Sequence, residues 1–253
     1  MKQDRRNQIT DMINRQRTVK NAELMDRFNI SIETVRRDLE YLEKQGILRR
    51  VYGGAVLNAP LGSEPEYASR SMTQQQEKLA IAEAAAKLVS PGDCIYLGVG
   101  TTVQAMAQSL RTVGELTVFT NALRTAVELS ETPDCTVILP GGQLRAKELT
   151  LSGFPAEDNF SHFNLDKAFI GIGGIDREGV TDFHVGEAQI HRQLIRSARQ
   201  SIVLADSGKL GMRAMTNVCS LKEIDIVVTD SNAPAALLRV LERAGVRVIV
   251  AQV

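Results

Sequence analysis

The sequence predicts an α/β chain built in two parts, and three observations carry that prediction. Short helical patterns and a glycine-tipped hairpin fill the first 57 residues. Seven apolar runs alternate with helix-period segments over most of the remainder. Between the two lies NAPLGSEPEYASRSM, with two prolines, one glycine and several small polar residues, which reads as a linker. A chain of 253 residues is long enough for two domains with the larger core in the second. The boundaries read as 1–57 for a first domain, 58–72 for the linker and 73–253 for a second domain.

Within residues 5–15, Ile9, Met12 and Ile13 recur at three- and four-residue spacing and share one helical face. Thr18 and Val19 form a short extended piece. Asn21 is placed to cap a second helix running through Phe28, with Ala22, Leu24, Met25 and Phe28 as its apolar residues. Asn29 and Ile30 turn the chain, and Ser31 caps a third helix. Val35, Leu39 and Leu42 lie on one face of that helix, and Gly46 ends it. ILRRVY, GG and AVL then give two short strands around a tight turn.

After the linker, a helix runs from about Thr73 to Val89 and stops near Pro91-Gly92. Strands are predicted near 94–98, 116–119, 135–139, 166–171, 201–205, 224–229 and 246–250, with helices near 102–110, 121–130, 186–198 and 234–244. The strand runs are continuous rather than alternating, as expected when helices cover both faces of a sheet. The second domain is therefore an open, mostly parallel α/β sheet.

Formal charge is zero overall, but it divides along the chain. Residues 1–60 hold 12 Lys/Arg against 8 Asp/Glu, and residues 61–253 hold 18 against 22. A basic small domain joined to an acidic larger one suits a nucleic-acid reader attached to something with another task. Cys94, Cys135 and Cys219 are widely spaced, without CxxC spacing, which argues against disulfides and structural zinc and for a reducing compartment. The N-terminus carries no apolar h-region and no apolar run reaches 18 residues, so a cytoplasmic chain with no membrane partner is expected. With no Trp and 4% aromatics, stacking platforms for single-stranded nucleic acid are not expected.

Three short helices followed by a basic hairpin make a winged helix-turn-helix. The start of its third helix enters the major groove of double-stranded DNA. Ser31, Glu33 and Thr34 occupy that first turn, and Arg36 and Arg37 follow one turn in. Arg forks to guanine or to phosphate, Glu accepts from cytosine, and Thr offers a methyl or hydroxyl. Arg36 and Arg37 are expected to divide base and phosphate contacts between them. Arg49, Arg50 and Tyr52 lie on the hairpin, where a wing touches phosphate or the minor groove. A charged helix with an Arg pair is commonly just a solvated face. The joint pattern within the first 57 residues is what makes the DNA reading specific.

In the second domain, LGVGTT stands between a strand and a helix. Gly98 and Gly100 let backbone N–H groups approach a ligand, and Thr101 and Thr102 add hydroxyls at the helix N-terminus, where an anion is favoured. The plain alternative is a strand-to-helix turn capped by Thr. The spacing matches neither a GxxxxGK[ST] nor a GxGxxG loop, so ATP and NAD are poor candidates. Other polar residues follow strands: Thr120 and Asn121, Arg145, Asp176 and Lys209. In an open parallel sheet ligands sit at the carboxyl ends of strands, so these loops are placed to share a pocket. Each also has a bland reading, as a cap, a turn residue or a solvated charge.

RRNQI at the start, S-x-x-TVRRDL-x-x-LE-x-x-G-I-L-x-R at 31–49 and YGGA at 52–55 resemble the deoxyribonucleoside-regulator (DeoR) family of bacterial transcription regulators. The resemblance covers nearly the whole chain. It implies a homo-oligomeric repressor, dimer or tetramer, of a carbohydrate-utilisation operon, released from operator DNA by a phosphorylated sugar. It also implies an effector and oligomerisation domain similar to sugar-phosphate isomerases such as ribose-5-phosphate isomerase. Its motifs match at GTT 100–102, TN 120–121, GG-x-x-R 141–145, D-x-x-x-x-G-x-G-G-I-D 166–176, EA 187–188 and ADS-x-K 205–209. On this likeness phosphate falls on the Gly100–Thr102 loop and Lys209, and Glu187 matches an acidic residue near the ligand. Two departures bear on which sugar is recognised: Gly98 stands where many members have Asp, and Val185 where Asn is usual.

No cofactor or metal is expected: His162, His184 and His191 form no HExxH or paired His/Cys arrangement. The alternative function is isomerase-like turnover retained in the second domain, with Asp176 or Glu187 as base. A DNA module fused to the pocket makes sensing the simpler account, and the chain is read as a non-enzyme.

Overall fold

The computed structural model describes residues 2–16, 18–58 and 63–253, leaving aside the side chains of residues 14–16. It divides into two compact units, Met1–Thr73 and Gln74–Val253. The first runs α1 (Lys2–Gln16), β1 (Thr18–Lys20), α2 (Asn21–Phe28), α3 (Ile32–Lys44), β2 (Leu48–Val51), β3 (Gly54–Leu57) and α4 (Tyr67–Met72). Ile9, Met12 and Ile13 of α1 pack with Leu24, Val35, Leu39, Leu42 and Leu48 in one small core, so the helix-spaced apolar residues are the buried ones. The Ser31 hydroxyl accepts from the Thr34 amide at 3.4 Å and caps α3. Gly46, at φ +71°, lets the Ile47 amide reach back to the Leu42 carbonyl and ends it.

Two local expectations are corrected. Asn21 does not cap α2: Lys20, extended, holds the cap position without a side-chain bond. The Asn21 amide is instead held by the Gly53 carbonyl at 2.8 Å, which ties the helix start to the hairpin turn. The linker is not wholly irregular either. Its residues 59–62 lie outside the described residues, but Tyr67–Met72 is helical. There Arg70 donates to the Pro65 carbonyl at 3.0 Å and pairs with Glu64 at 3.2 Å, which closes the turn locally. β3 lies between β1 and β2 in an antiparallel sheet. A Cβ on Gly54 would stand 2.0 Å from the Val19 carbonyl oxygen, so that pairing requires glycine.

The second unit runs α5 (Gln75–Ala86), β4 (Cys94–Leu97), α6 (Thr101–Ser109), β5 (Leu116–Phe119), α7 (Leu123–Ser130), β6 (Cys135–Ile138), β7 (Gln143–Arg145), β8 (Thr150–Ser152), α8 (Phe154–Ser161) and β9 (Leu165–Gly171). It continues through β10 (Gly174–Asp176), β11 (Gly179–Asp182), α9 (Val185–Ser197), β12 (Ala198–Leu204), β13 (Thr216–Cys219), β14 (Ile226–Asp230), α10 (Ala235–Arg243) and β15 (Arg247–Ala251). The seven strands read from the sequence are the seven of one parallel sheet, ordered β15-β14-β12-β9-β4-β5-β6.

Continuous apolar runs resolve into two cores, one per sheet face. Ile95, Leu97, Val118, Phe169, Ile202, Leu204, Ile226 and Val228 pack with α5, α6 and α7. Their neighbours Tyr96, Phe119, Ala168, Ile170, Val203 and Val227 pack with α8, α9 and α10. Successive side chains point to opposite faces, and both faces are covered. The elements without a sequence signal are α8, the β7–β8 hairpin and the small antiparallel sheet β10-β11-β13. Strands of three or four residues are too short to show a period. Among the described residues no helix is long and apolar enough to cross a membrane.

Candidate functional site

The first unit presents one basic edge. Arg36 and Arg37 are exposed on the first turns of α3, and Arg49, Arg50 and Tyr52 are exposed on the β2–β3 hairpin. Tyr52, at its tip, is 89% exposed. Arg36, Leu39, Arg50 and Tyr52 line a concavity between helix and hairpin. Several of the expected contact residues are already engaged within the chain. Glu33 lies 3.7 Å from Arg36, a loose pair that leaves both in solvent. Glu43 accepts from both the Arg50 amide and its guanidinium at 2.7 Å, which holds the Glu43 carboxyl below the ordinary glutamate range. Ser31 and Thr34 bond to one another in the cap.

Behind that edge lies an ion cluster that sequence reasoning missed. Asp38 of α3 is 1% exposed. Its two oxygens accept from Arg5 Nε at 2.7 Å and Arg6 Nε at 2.8 Å. The Arg6 guanidinium carbon also lies 3.7 Å from the centre of the Tyr41 ring. The RR of the first segment and the D of TVRRDL are thus two halves of one clamp, which fixes α3 against α1. The signal was the conjunction of an Arg pair on one helix with an acid on the buried face of another.

In the second unit the chain leaves β4 toward β5 and leaves β9 toward β12, although β4 and β9 are neighbours. Strand order reverses there, and such a point opens a crevice outside the carboxyl ends of the strands. Glycines floor it. A Cβ on Gly171 would stand 2.1 Å from the Val99 carbonyl oxygen, and one on Gly100 3.7 Å from the Gly171 Cα. Gly100, at φ +131°, leads directly into α6, where Thr101 is half-buried and Thr102 buried. The first N–H groups of α6 have no partner within the helix.

A buried polar cluster lies alongside. The Tyr96 hydroxyl donates to Asn121 Oδ1 at 2.8 Å, and Asn121 Nδ2 donates to the Leu151 carbonyl at 3.0 Å. Thr120 Oγ1 accepts from the Ala122 amide. Glu187, 2% exposed, pairs with Arg145 and accepts from Thr150 Oγ1 at 2.9 Å. Burial, with Glu187 and then Asp182 nearby, raises the Tyr96 phenol well above the ordinary tyrosine range. His191 of α9 is 1% exposed, and neither ring nitrogen has a hydrogen-bond partner among the described residues. Its Nδ1 lies 3.4 Å from Asp182 Oδ2, and its Nε2 faces Gly98, 3.3 Å from where a Cβ on that glycine would stand.

The fold therefore joins Arg145 with Glu187, and places Asn121 on Tyr96 of β4, the strand that leads into Gly98. Asn121 and Thr120 are fully buried and bonded within the protein. Asp176 belongs to a turn: its Oδ1 accepts from the Glu178 and Gly179 amides, and its Oδ2 lies 3.4 Å from Arg213. Lys209 follows β12 at the same carboxyl edge as the glycine loop, with its ammonium 5.6 Å from the Phe183 ring centre. Sequence reasoning missed Tyr96, Thr150 and Asp182, and considered His191 only as a metal ligand. Each sits in an apolar run or an unrecognised short strand, where nothing in the pattern marks it.

The chain matches a family model for the DeoR-like helix-turn-helix domain over residues 5–60 and one for the DeoR C terminal sensor domain over residues 73–231. It is 37% identical to an uncharacterized HTH-type transcriptional regulator of Bacillus subtilis, YulB, over 97% of this chain and 95% of that one. It is 35% identical to the glycerol-3-phosphate regulon repressor of Escherichia coli, over 95% and 96%. The HTH-type transcriptional repressor GlcR of Bacillus subtilis is 34% identical over 96% and 94%. Among solved structures, the ribose 5-phosphate isomerase A of Methanocaldococcus jannaschii is 17% identical over 55% of each chain, with a TM-score of 0.39.

Proposed function

The chain belongs to the DeoR family of DNA-binding transcriptional regulators, and on that footing we propose that it represses a carbohydrate-utilisation operon and is released by a phosphorylated sugar. The observation that carries the sensing half is the glycine-floored crevice between the ends of β4 and β9. An anion there meets N–H groups at the start of α6 and the Thr101 hydroxyl, and Lys209 supplies a cation from the same sheet edge. The DNA half rests on the exposed Arg36, Arg37 and Arg49 along one edge of the winged unit.

Two copies reading related half-sites would match the symmetry of an inverted or repeated operator. The sugar phosphate must bind the arrangement that fits the operator poorly more tightly than the one that fits it well, because tight binding alone shifts nothing. The domain reading places the effector and oligomer contacts in 73–253 and the DNA contacts in 1–57, in a cytoplasmic protein.

Sensing is favoured over turnover by the state of the two acids. Glu187 is paired with Arg145 and Asp176 is bound into its own turn. A general base needs an open carboxylate beside the substrate. Incubating the responsive sugar phosphate with the purified protein should yield no isomer; appearance of one would reverse this reading.

A mobility shift on the chain's own upstream region tests the DNA half. Arg36→Ala and Arg37→Ala should each weaken specific binding; unchanged affinity in both would remove α3 as the reading helix. A thermal-shift screen of phosphorylated sugars tests the other half. A stabilising sugar phosphate should emerge and be weakened by Thr101→Ala and Lys209→Ala; no such ligand, or indifference to both substitutions, defeats it.

A further inference from the structure

We propose that His191 is a ligand-binding residue of the crevice, whose Nε2 accepts a hydrogen bond from a hydroxyl of the sugar whose phosphate rests on the Gly98–Thr102 loop. This deepens the reading of the crevice as a sugar-phosphate site and rests on it.

An imidazole that is 1% exposed, with no hydrogen bond at either nitrogen among the described residues, is costly to leave unmatched. The neighbouring hydroxyls are engaged elsewhere: Tyr96 donates to Asn121, and Thr150 donates to Glu187, one turn before His191 on α9. The ring cannot easily leave, because Ala188, Ile190 and Leu194 anchor α9 in the core. A donor from outside the chain is the simplest match.

Direction and chemistry follow from the two ring nitrogens. Asp182 Oδ2, 3.4 Å from Nδ1, favours the proton on Nδ1 and leaves the Nε2 lone pair open. An open lone pair selects a hydroxyl donor and repels a phosphate oxygen. Nε2 faces the loop at Gly98, where a side chain would crowd it. Gly98 puts no side chain against Nε2, and it stands three residues before Thr101, the anion-favouring start of α6. The crevice then has a phosphate end on the loop amides and a hydroxyl end at His191.

The test is calorimetry on the full chain with inorganic phosphate, glycerol 3-phosphate and a panel of pentose and hexose phosphates. In the wild-type protein at least one sugar phosphate should bind tighter than inorganic phosphate. His191→Phe keeps a ring of similar size without the acceptor. It should leave phosphate affinity within about twofold and reduce the sugar advantage about tenfold, and His191→Gln should restore part of it. If His191→Phe keeps the full sugar advantage, His191 is a packing residue and the inference falls while the crevice stands. If neither phosphate nor any sugar phosphate binds the wild-type chain, the crevice reading falls and takes the inference with it. Should His191→Phe not fold, the His191 Nε2 resonance in ¹⁵N spectra of the wild-type protein decides. A shift toward a hydrogen-bonded acceptor on adding the tightest sugar phosphate supports the role, and no shift overturns it.

Discussion

Two buried acids show how differently the units use internal charge. Asp38 in the reading unit meets two guanidiniums, one on each oxygen, inside a small core. Glu187 in the second unit meets Arg145 and one hydroxyl, and near it His191 is left unmatched. The first cluster is closed: every strong bond is internal, and its job is to hold α3 rigidly against α1 while Arg36 and Arg37 face outward. The second is buried too, but the His191 nitrogens beside it have no hydrogen-bond partner among the described residues, and Nε2 stands next to Gly98. A reader needs a fixed surface, whereas a sensor needs polar groups whose last partner arrives with the ligand.

The contrast is sharpest in stability. Asp38→Asn strands two guanidiniums, one of them almost fully buried, and should cost about 3 kcal/mol or more. Glu187→Gln leaves Arg145, which is 23% exposed, able to reach water, and should cost about 1–2 kcal/mol. Urea unfolding followed by circular dichroism measures both. An equal or larger loss for Glu187→Gln would break the distinction between a closed and an open cluster.

How far this was legible follows the same division. The seven parallel strands announced themselves because each is an apolar run between glycine or polar turns, and burial on both faces demands that run. The exposed basic edge was legible because Arg36, Arg37, Arg49 and Arg50 sit at fixed offsets from a cap and a glycine turn. The clamp on Asp38 was not, since Arg5 and Asp38 lie 33 residues apart and only the packing of α1 on α3 unites them. The open cluster was least legible of all. Its members come from β4, β7, β8, β11 and α9, and all four of those strands have only three or four residues. Thr120 and Asn121 were singled out by position at a strand end, but the fold buries both and occupies their polar atoms within the protein.

On the outer surface, the arginines of the reading unit should not be equivalent. Arg49 is exposed with no ion-pair partner among the described residues, whereas Arg50 is held by Glu43. Arg49→Ala should weaken operator binding several-fold and lower the salt slope by about 1, as loss of one phosphate contact does. Arg50→Ala should do less, and Glu43→Gln should strengthen binding by freeing that guanidinium. Fluorescence anisotropy at several salt concentrations separates them. If Arg50→Ala costs more than Arg49→Ala, Arg50 exchanges Glu43 for DNA, and the wing is less pre-set than α3.

The smallest effect concerns the cysteines, which lie only in the second unit. Burial is the largest cause holding all three thiols above the ordinary range, and it pushes Cys219 up to about 12, with Glu223 adding to it. A thiol with a raised pKa stays neutral in the folded chain while the unfolded chain ionises. Its contribution is therefore whole below the unfolded value near 8.5 and declines as pH rises toward 12. At pH 8 Cys219 is held almost wholly as the thiol, so iodoacetamide should leave it unlabelled while the protein is folded and modify it once urea opens the second unit. Cys94 and Cys135, partly exposed as Cys219 is but raised less far, should react sooner but still slowly. Rapid labelling of Cys219 in the folded chain would mean that the β13–α9 packing opens readily, and the loose side of the second unit would then extend beyond the crevice.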